Sequence, residues 1–162
     1  MNTLKVFLIA IWITAISSSA FADVCDEGVL AVKKQNYKTA LEKFSTTSKR
    51  NDKKCLMGMS FLYYFGYGLP QNFEQAFMFA QKSAQLGNAE AQGFLSAMYA
   101  EGQGVPKNLI KAHMWSNVAI AQGDAFAEQV RNSVSQRMAA EEIKEAQALA
   151  MACKEKKYER CE

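Results

Sequence analysis

Histidine occurs once in the 162 residues, proline twice, and cysteine four times without any C-x-x-C pair. A zinc site built from neighbouring cysteines and histidines is therefore a poor fit. Ser-His or Cys-His nucleophilic chemistry would have to run through His113 alone. No Ser-x-x-Lys, G-x-S-x-G or H-E-x-x-H run occurs. Segments with strand character are scarce, so the chain reads as all-helical. The formal net charge of +3 is small and spread along the chain, which argues against nucleic acid as a partner. Lysine and arginine cluster mildly at 49–54 and 154–157, where solvated helix ends explain them better than a binding site. No catalytic residue, cofactor or metal is expected.

What is present begins with a leader pattern. Lys5 is the only charge in residues 1–22, Val6 to Ile16 is almost wholly apolar, and Ala20-Phe21-Ala22 closes the stretch. A basic start, a short apolar run and an A-x-A end describe a cleaved secretory signal. The run is shorter than the ~20 residues of a membrane span, although an uncleaved anchor is the alternative. Val24 before Cys25 argues against lipidation. Cleavage would leave 140 residues, one domain with a net charge of +2 and no membrane span, in the periplasm or outside the cell.

In an oxidising compartment, Cys25, Cys55, Cys153 and Cys161 read as two disulfides. Three connectivities are possible, and the expected one pairs Cys25 with Cys55 and Cys153 with Cys161. On a continuous helix two positions eight apart lie about 12 Å from each other, too far for a disulfide. The last helix must then end near 154–157 and turn back.

One unit is written twice. A shift of 36 residues lays 53–88 on 89–124 with nine identities and no gap. They are Ser60 on Ser96, Tyr63 on Tyr99, Gly66 on Gly102, Gly68 on Gly104, Pro70 on Pro106, Asn72 on Asn108, Ala76 on Ala112, Met78 on Met114 and Gly87 on Gly123. A period of this length is the mark of a helical solenoid. Within each copy, a glycine in the left-handed region ends the first helix, Gly-x-Gly-x-Pro turns the chain, and asparagine caps the second. Ala76 and Ala112 would let paired helices approach closely. Tyr63 and Tyr99 read as core residues with phenols reaching a loop backbone group, and Phe79 and Trp115 as the matching large positions.

The flanks read as caps. Residues 23–52 form an N-terminal hairpin, with Val29, Leu30 and Val32 apolar on its first helix and Tyr37, Ala40, Leu41 and Phe44 on its second. Residues 125–162 form a C-terminal hairpin, with Ala125, Phe126, Val130 and Val134 apolar on the first helix and Ile143, Ala146, Leu149 and Ala150 on the second. Four helix pairs result, as a solenoid with capped ends requires.

Neither Gly-x-Gly completes a phosphate-binding G-x-G-x-x-G, since Gln71 and Lys107 intervene and no strand precedes. His113 stands where the other copy has Phe77 and reads as a surface or half-buried structural residue. Glu141 and Glu142 are adjacent, hence on different faces, and suit a helix N-terminus better than an acid–base pair. A site is suggested only where the copies disagree. Phe61, Tyr64, Phe65 and Tyr67 correspond to Ala97, Ala100, Glu101 and Gln103. Aromatic residues at positions the fold does not require could anchor a partner. They could equally pack on the N-terminal hairpin. The interface reading expects Phe61 buried and Tyr64 and Tyr67 exposed, as the preferred contacts.

The pattern Leu95-Ser96, Tyr99, Gly102-x-Gly104-Val105, Asn108, Ala112, Trp115 and Gly123 resembles the Sel-one-like repeat family, relatives of the tetratricopeptide repeat. Met59-Ser60, Tyr63, Gly66-x-Gly68-Leu69, Asn72, Ala76, Phe79 and Gly87 form a weaker copy. The Met138, Glu141-Glu142-Ile143 and Cys153…Tyr158…Cys161 runs resemble short exported bacterial members. Serine at both usual glycine positions and Phe79 for tryptophan depart from the pattern. The resemblance implies a right-handed superhelix of antiparallel helix pairs whose concave face binds a protein or peptide. A cysteine-rich branch is assigned β-lactamase activity, which makes a β-lactam or cell-wall amide hydrolase the alternative. That branch carries C-x7-C pairs in its repeats, and here only Cys153 and Cys161 have the spacing. A structural envelope component without a dedicated ligand is the third possibility.

Overall fold

The computed structural model describes residues 24–48, 51–159 and 161. The leader expected over 1–22, Asp23, and Lys49 and Arg50 of the basic cluster lie outside the described residues. Eight helices follow one another among the described residues: α1 (24–33), α2 (Tyr37–Ser48), α3 (Lys53–Phe65), α4 (Phe73–Gln85), α5 (Ala89–Glu101), α6 (Leu109–Ile120), α7 (Ala125–Ser135) and α8 (Ala140–Glu155). They pack as consecutive pairs, each against the next: α2 on α3, α3 on α4, α4 on α5, α5 on α6, α6 on α7 and α8.

Local chemistry sets the joints. Asp52 accepts from the amides of Lys54 and Cys55 at the start of α3. Gly66 and Gly102 end α3 and α5 at φ 71° and 75°, a backbone region that costs a residue with a Cβ about 1–2 kcal/mol. Asn72 and Asn108 then cap α4 and α6 with the same backbone angles, φ −152° in both. Their side chains accept from Gln75 and Lys111 amides at 2.9 and 2.8 Å, a cap worth about 1 kcal/mol. The two seven-residue loops are closed identically, by the Asn72 and Asn108 amides donating to the carbonyls of Tyr63 and Tyr99 at 2.9 Å. The loop is thus held by the tyrosine backbones. Tyr99 is buried and Tyr63 only half-buried, stacked on Phe79 at 5.6 Å.

Ala76, Ala112 and Ala40 have no exposed surface and occupy the same place in three successive second helices. The Ser60 hydroxyl donates to the Ala76 carbonyl at 2.8 Å, which ties α3 to α4 at this close approach. Ser96 turns instead to Gly93 of its own helix. Farther along, the Ser83 hydroxyl donates to the Lys53 carbonyl, and buried Gln92 reaches Ala84 and Gln122.

The disulfides are Cys25–Cys55, joining α1 to α3, and Cys153–Cys161. A closed loop of 30 residues accounts for about 3–4 kcal/mol in the chain-entropy view, and one of eight for about 2–3. α8 ends at Glu155, and Lys157 and Tyr158 take φ of 51° and 70°, which folds Cys161 back to a Cα distance of 4.8 Å from Cys153. The Tyr158 ring lies against Gly87, so this hook also closes on the start of α5.

Three expectations are corrected by how the pairs are rotated. Leu30 is 51% exposed, and Ala31 takes its inward place. Ala125 and Phe126 face outward, and Ala127 is the buried residue of that turn. His113 is buried, because α6 is covered by α5, α7 and α8 together.

Candidate functional site

The first helices of the pairs start side by side and so share a face: Lys54 pairs with Asp26 at the starts of α3 and α1, the Asn88 side chain at the start of α5 donates to the Lys53 carbonyl, and Asp124 at the start of α7 lies against Gly93 of α5. On it lies a connected group of rings. Tyr67 stacks on Tyr37 of α2 at 4.3 Å and on Phe65 at 5.4 Å. Phe61 contacts Phe65 at 4.6 Å and Tyr67 at 5.8 Å. Tyr64 sits edge-on to Phe65, Phe73 and Phe94, with centroids 4.8–5.1 Å apart. Its hydroxyl donates to the Gln103 side chain in the next repeat's loop.

The four aromatic positions therefore divide. Phe61 is half-buried where burial was expected. Tyr64 and Tyr67 are half-buried where exposure was expected. Tyr64 is held by the following repeat, and Tyr67 by the N-terminal hairpin. Phe65, at 44% exposure, is the ring that the others present to solvent. The Tyr37 phenol is shifted up, first by burial and then by Tyr67 beside it.

Beside Phe61 a cleft of about 180 Å³ opens between α1, α3 and α5, lined by Val29, Val32, Lys33, Phe44, Lys54, Met57, Gly58, Phe61 and Glu90. Phe44 forms its floor, and its ring is sandwiched between the backbones at Gly28 and Gly58. A second hollow, of about 240 Å³, lies between α5 and α7, with Ala97, Glu101, Gln129 and Ser133 among its walls. The Arg137 guanidinium stands 4.0 Å from Glu101 there.

Sequence reasoning missed Phe73, Phe94, Lys33 and Glu90, and it read Tyr37 and Phe44 only as apolar positions of the N-terminal hairpin. One of these left a signal: Gly58 and Phe94 hold the same place in the two copies, and a glycine opposite a phenylalanine marks space to be filled from elsewhere.

Chemistry at the remaining candidates is limited. His113 Nδ1 lies 3.0 Å from the Asn117 side-chain nitrogen. Burial, and then the charge of Arg131, hold the imidazole below its ordinary pKa of 6.5. Protonation therefore favours the unfolded chain. This contribution to stability is fully present above about pH 6.5 and is lost as pH falls toward the lower folded value. We expect His113→Phe, the residue of the other copy, to flatten the fall in melting temperature between about pH 7.5 and 5.5. Parallel profiles for the two proteins would remove the histidine from the acid response. Cys25, Asp52 and Cys55 are the metal-ligand types that converge among the described residues. The two sulfurs are bonded to each other and Asp52 caps α3, which leaves no free donor set.

Residues 53–88 and 89–124 each match the Sel1 repeat. This is a Sel1 repeat protein. Each Sel1 copy contains one of the two loops described above, and after the second copy α7 and α8 both pack on α6. The protective antigen c5321, present in uropathogenic Escherichia coli strains and displaying an SLR fold, superposes with a TM-score of 0.81 at 20% identity over 94% of this chain. A Sel1 repeat protein from Oxalobacter formigenes superposes with a TM-score of 0.62 at 29% identity over 67% of it. The chain spans 34% and 44% of the lengths of these two structures. No curated protein matches it. Among the described residues no helix is long and apolar enough to cross a membrane, and the two disulfides fit an oxidising compartment.

Proposed function

We propose that this Sel1 repeat protein is an exported interaction module of the bacterial envelope, periplasmic or secreted, that holds a protein or peptide partner against the face of its first helices. The observation that carries this is Phe65. It is exposed within a stacked ring group, at a place where the second repeat has Glu101 and builds the same loop without it. Rings surplus to the fold are suited to anchor a partner, because aromatic residues dominate the energy of interfaces. The preferred contacts become Phe65, Phe61 and the edge of Tyr67, and Tyr64 serves as their support. The reading gives the chain no hydrolytic role, and it is supported by the burial of His113 and by its neighbour Asn117.

The double variant Phe61→Ala, Phe65→Glu carries the residues of the second repeat. In a crosslinking pull-down from the periplasm it should lose the partner captured by the parent while keeping its helicity and melting temperature. Unchanged capture would remove the ring group from the interface. No reproducible partner for the parent would favour a structural component instead.

A further inference from the structure

The cleft beside Phe61 is smaller than the ~300–1,000 Å³ usual for a small-molecule site. At about 180 Å³ it has room for one large side chain. Its walls are carbon, from Val29, Val32, Met57 and Phe61 over the Phe44 ring. Where the second repeat has Phe94, residue 58 is glycine, and the Phe44 ring takes that place and forms the floor of the cleft.

Its rim carries both signs of charge. Lys54 is engaged with Asp26. Lys33 and Glu90 have no ion-pair partner among the described residues. Lys33 closes α1 and Glu90 opens α5, so the free cation and the free carboxylate stand at opposite ends of the cleft. Asp26, level with Lys54 and hence with Glu90, lies seven residues before Lys33, about 10 Å along a helix. An extended peptide covers that distance in about three to four residues.

Resting on the binding role proposed above, we infer that this cleft takes one bulky apolar side chain of an extended peptide that carries an acidic group on one flank, toward Lys33, and a basic group on the other, toward Glu90. An acyl chain brings one carboxylate, which would leave Glu90 unmatched.

The test uses the purified chain and dye-labelled pentapeptides with blocked ends. Glu-Ala-Phe-Ala-Lys should bind at least about tenfold more tightly than the same peptide with alanine at its centre, as expected for burying one large apolar side chain. It should bind about threefold more tightly than the Glu-flanked or Lys-flanked versions, since rim charges are worth little each. Glu90→Lys should switch the preference to the Glu-flanked peptide, and Lys33→Glu to the Lys-flanked one. Val32→Phe, which fills the cleft, should abolish binding, and the two surface charge variants keep the test decisive if it fails to fold. Binding indifferent to the central phenylalanine, or a charge preference that does not switch, overturns the inference. Full displacement of the peptide by decanoate with no charge dependence would assign the cleft to an acyl chain, and self-association lost in Val32→Phe would assign it to a second copy. Either overturns it. If no peptide binds while Phe61→Ala, Phe65→Glu still abolishes periplasmic capture, the cleft alone is refuted and the wider surface stands.

Discussion

Gly104→Ala should destabilise the protein by about 2–5 kcal/mol. Two costs combine there. Gly104 takes φ 71°, where a side chain costs about 1–2 kcal/mol. The added Cβ would also lie 2.0 Å from the Phe73 carbonyl oxygen and 2.9 Å from the Glu74 amide nitrogen. Those atoms belong to the first turn of α4 and cannot swing aside as a side-chain tip would. The α5–α6 loop would have to lift from α4, which adds roughly 1–3 kcal/mol of overpacking. Gly68 makes the same contact one repeat earlier, against Tyr37 of α2, but with 3.1 Å of room to a Cβ and 3.2 Å to the carbonyl oxygen. Gly68→Ala should therefore cost less, about 1–2 kcal/mol, mostly from φ. Urea unfolding of the two variants measures the difference. Equal losses would mean that backbone angle alone matters and that the loop does not bear on the preceding pair.

Phe44→Ala should cost a similar amount, about 3–5 kcal/mol. The ring is 1% exposed. Cβ atoms built at Gly28 and Gly58 would stand 2.4 and 2.5 Å from ring carbons, so the phenyl occupies the space of both missing side chains. With no side chain on either glycine, little can collapse into the hole. The cavity term then stays near its full value, and the floor of the Phe61 cleft is lost. A coupled measurement sharpens this. Gly58→Ala alone should destabilise, because Phe44 is in the way. In the Phe44→Ala background the same change should stabilise by about 1 kcal/mol, the helix propensity gained. That change of sign is the signature of direct contact. If Gly58→Ala costs the same in both backgrounds, the ring does not fill that space.

The pairing of these two residues also explains why part of the site was illegible. Phe44 and Gly58 exchange size with Ala80 and Phe94 one repeat later. A comparison of copies shows each difference, but which large residue fills which gap depends on how α2 lies across α3. Likewise, Tyr64 and Tyr67 differ from Ala100 and Gln103 and so looked free to face solvent. Tyr64 is drawn inward by Phe94 and Gln103 of the next repeat, and Tyr67 by Tyr37 of the preceding hairpin. All three partners lie about 30 or more residues away, beyond the reach of any local pattern.

The sequence by itself determined the helix pairs, their loops and the 36-residue repeat, and it tied a hook after the last helix to a Cys153–Cys161 pairing that it did not by itself select. These follow from short-range chemistry: a left-handed glycine, a proline and a capping asparagine act within seven residues of backbone, and a helix either ends or continues there. Only the tertiary structure decided which faces those helices present. It turned Leu30 and Phe126 outward, buried His113 beneath α7 and α8, left Phe65 exposed and opened a charged-rim cleft beside Phe61. The physical reason is that burial depends on the rotation of one pair against the next. That rotation is set by the packing of side chains from different repeats, such as Gly104 on Phe73 and Phe44 on Gly58, and no single repeat contains both members of such a contact.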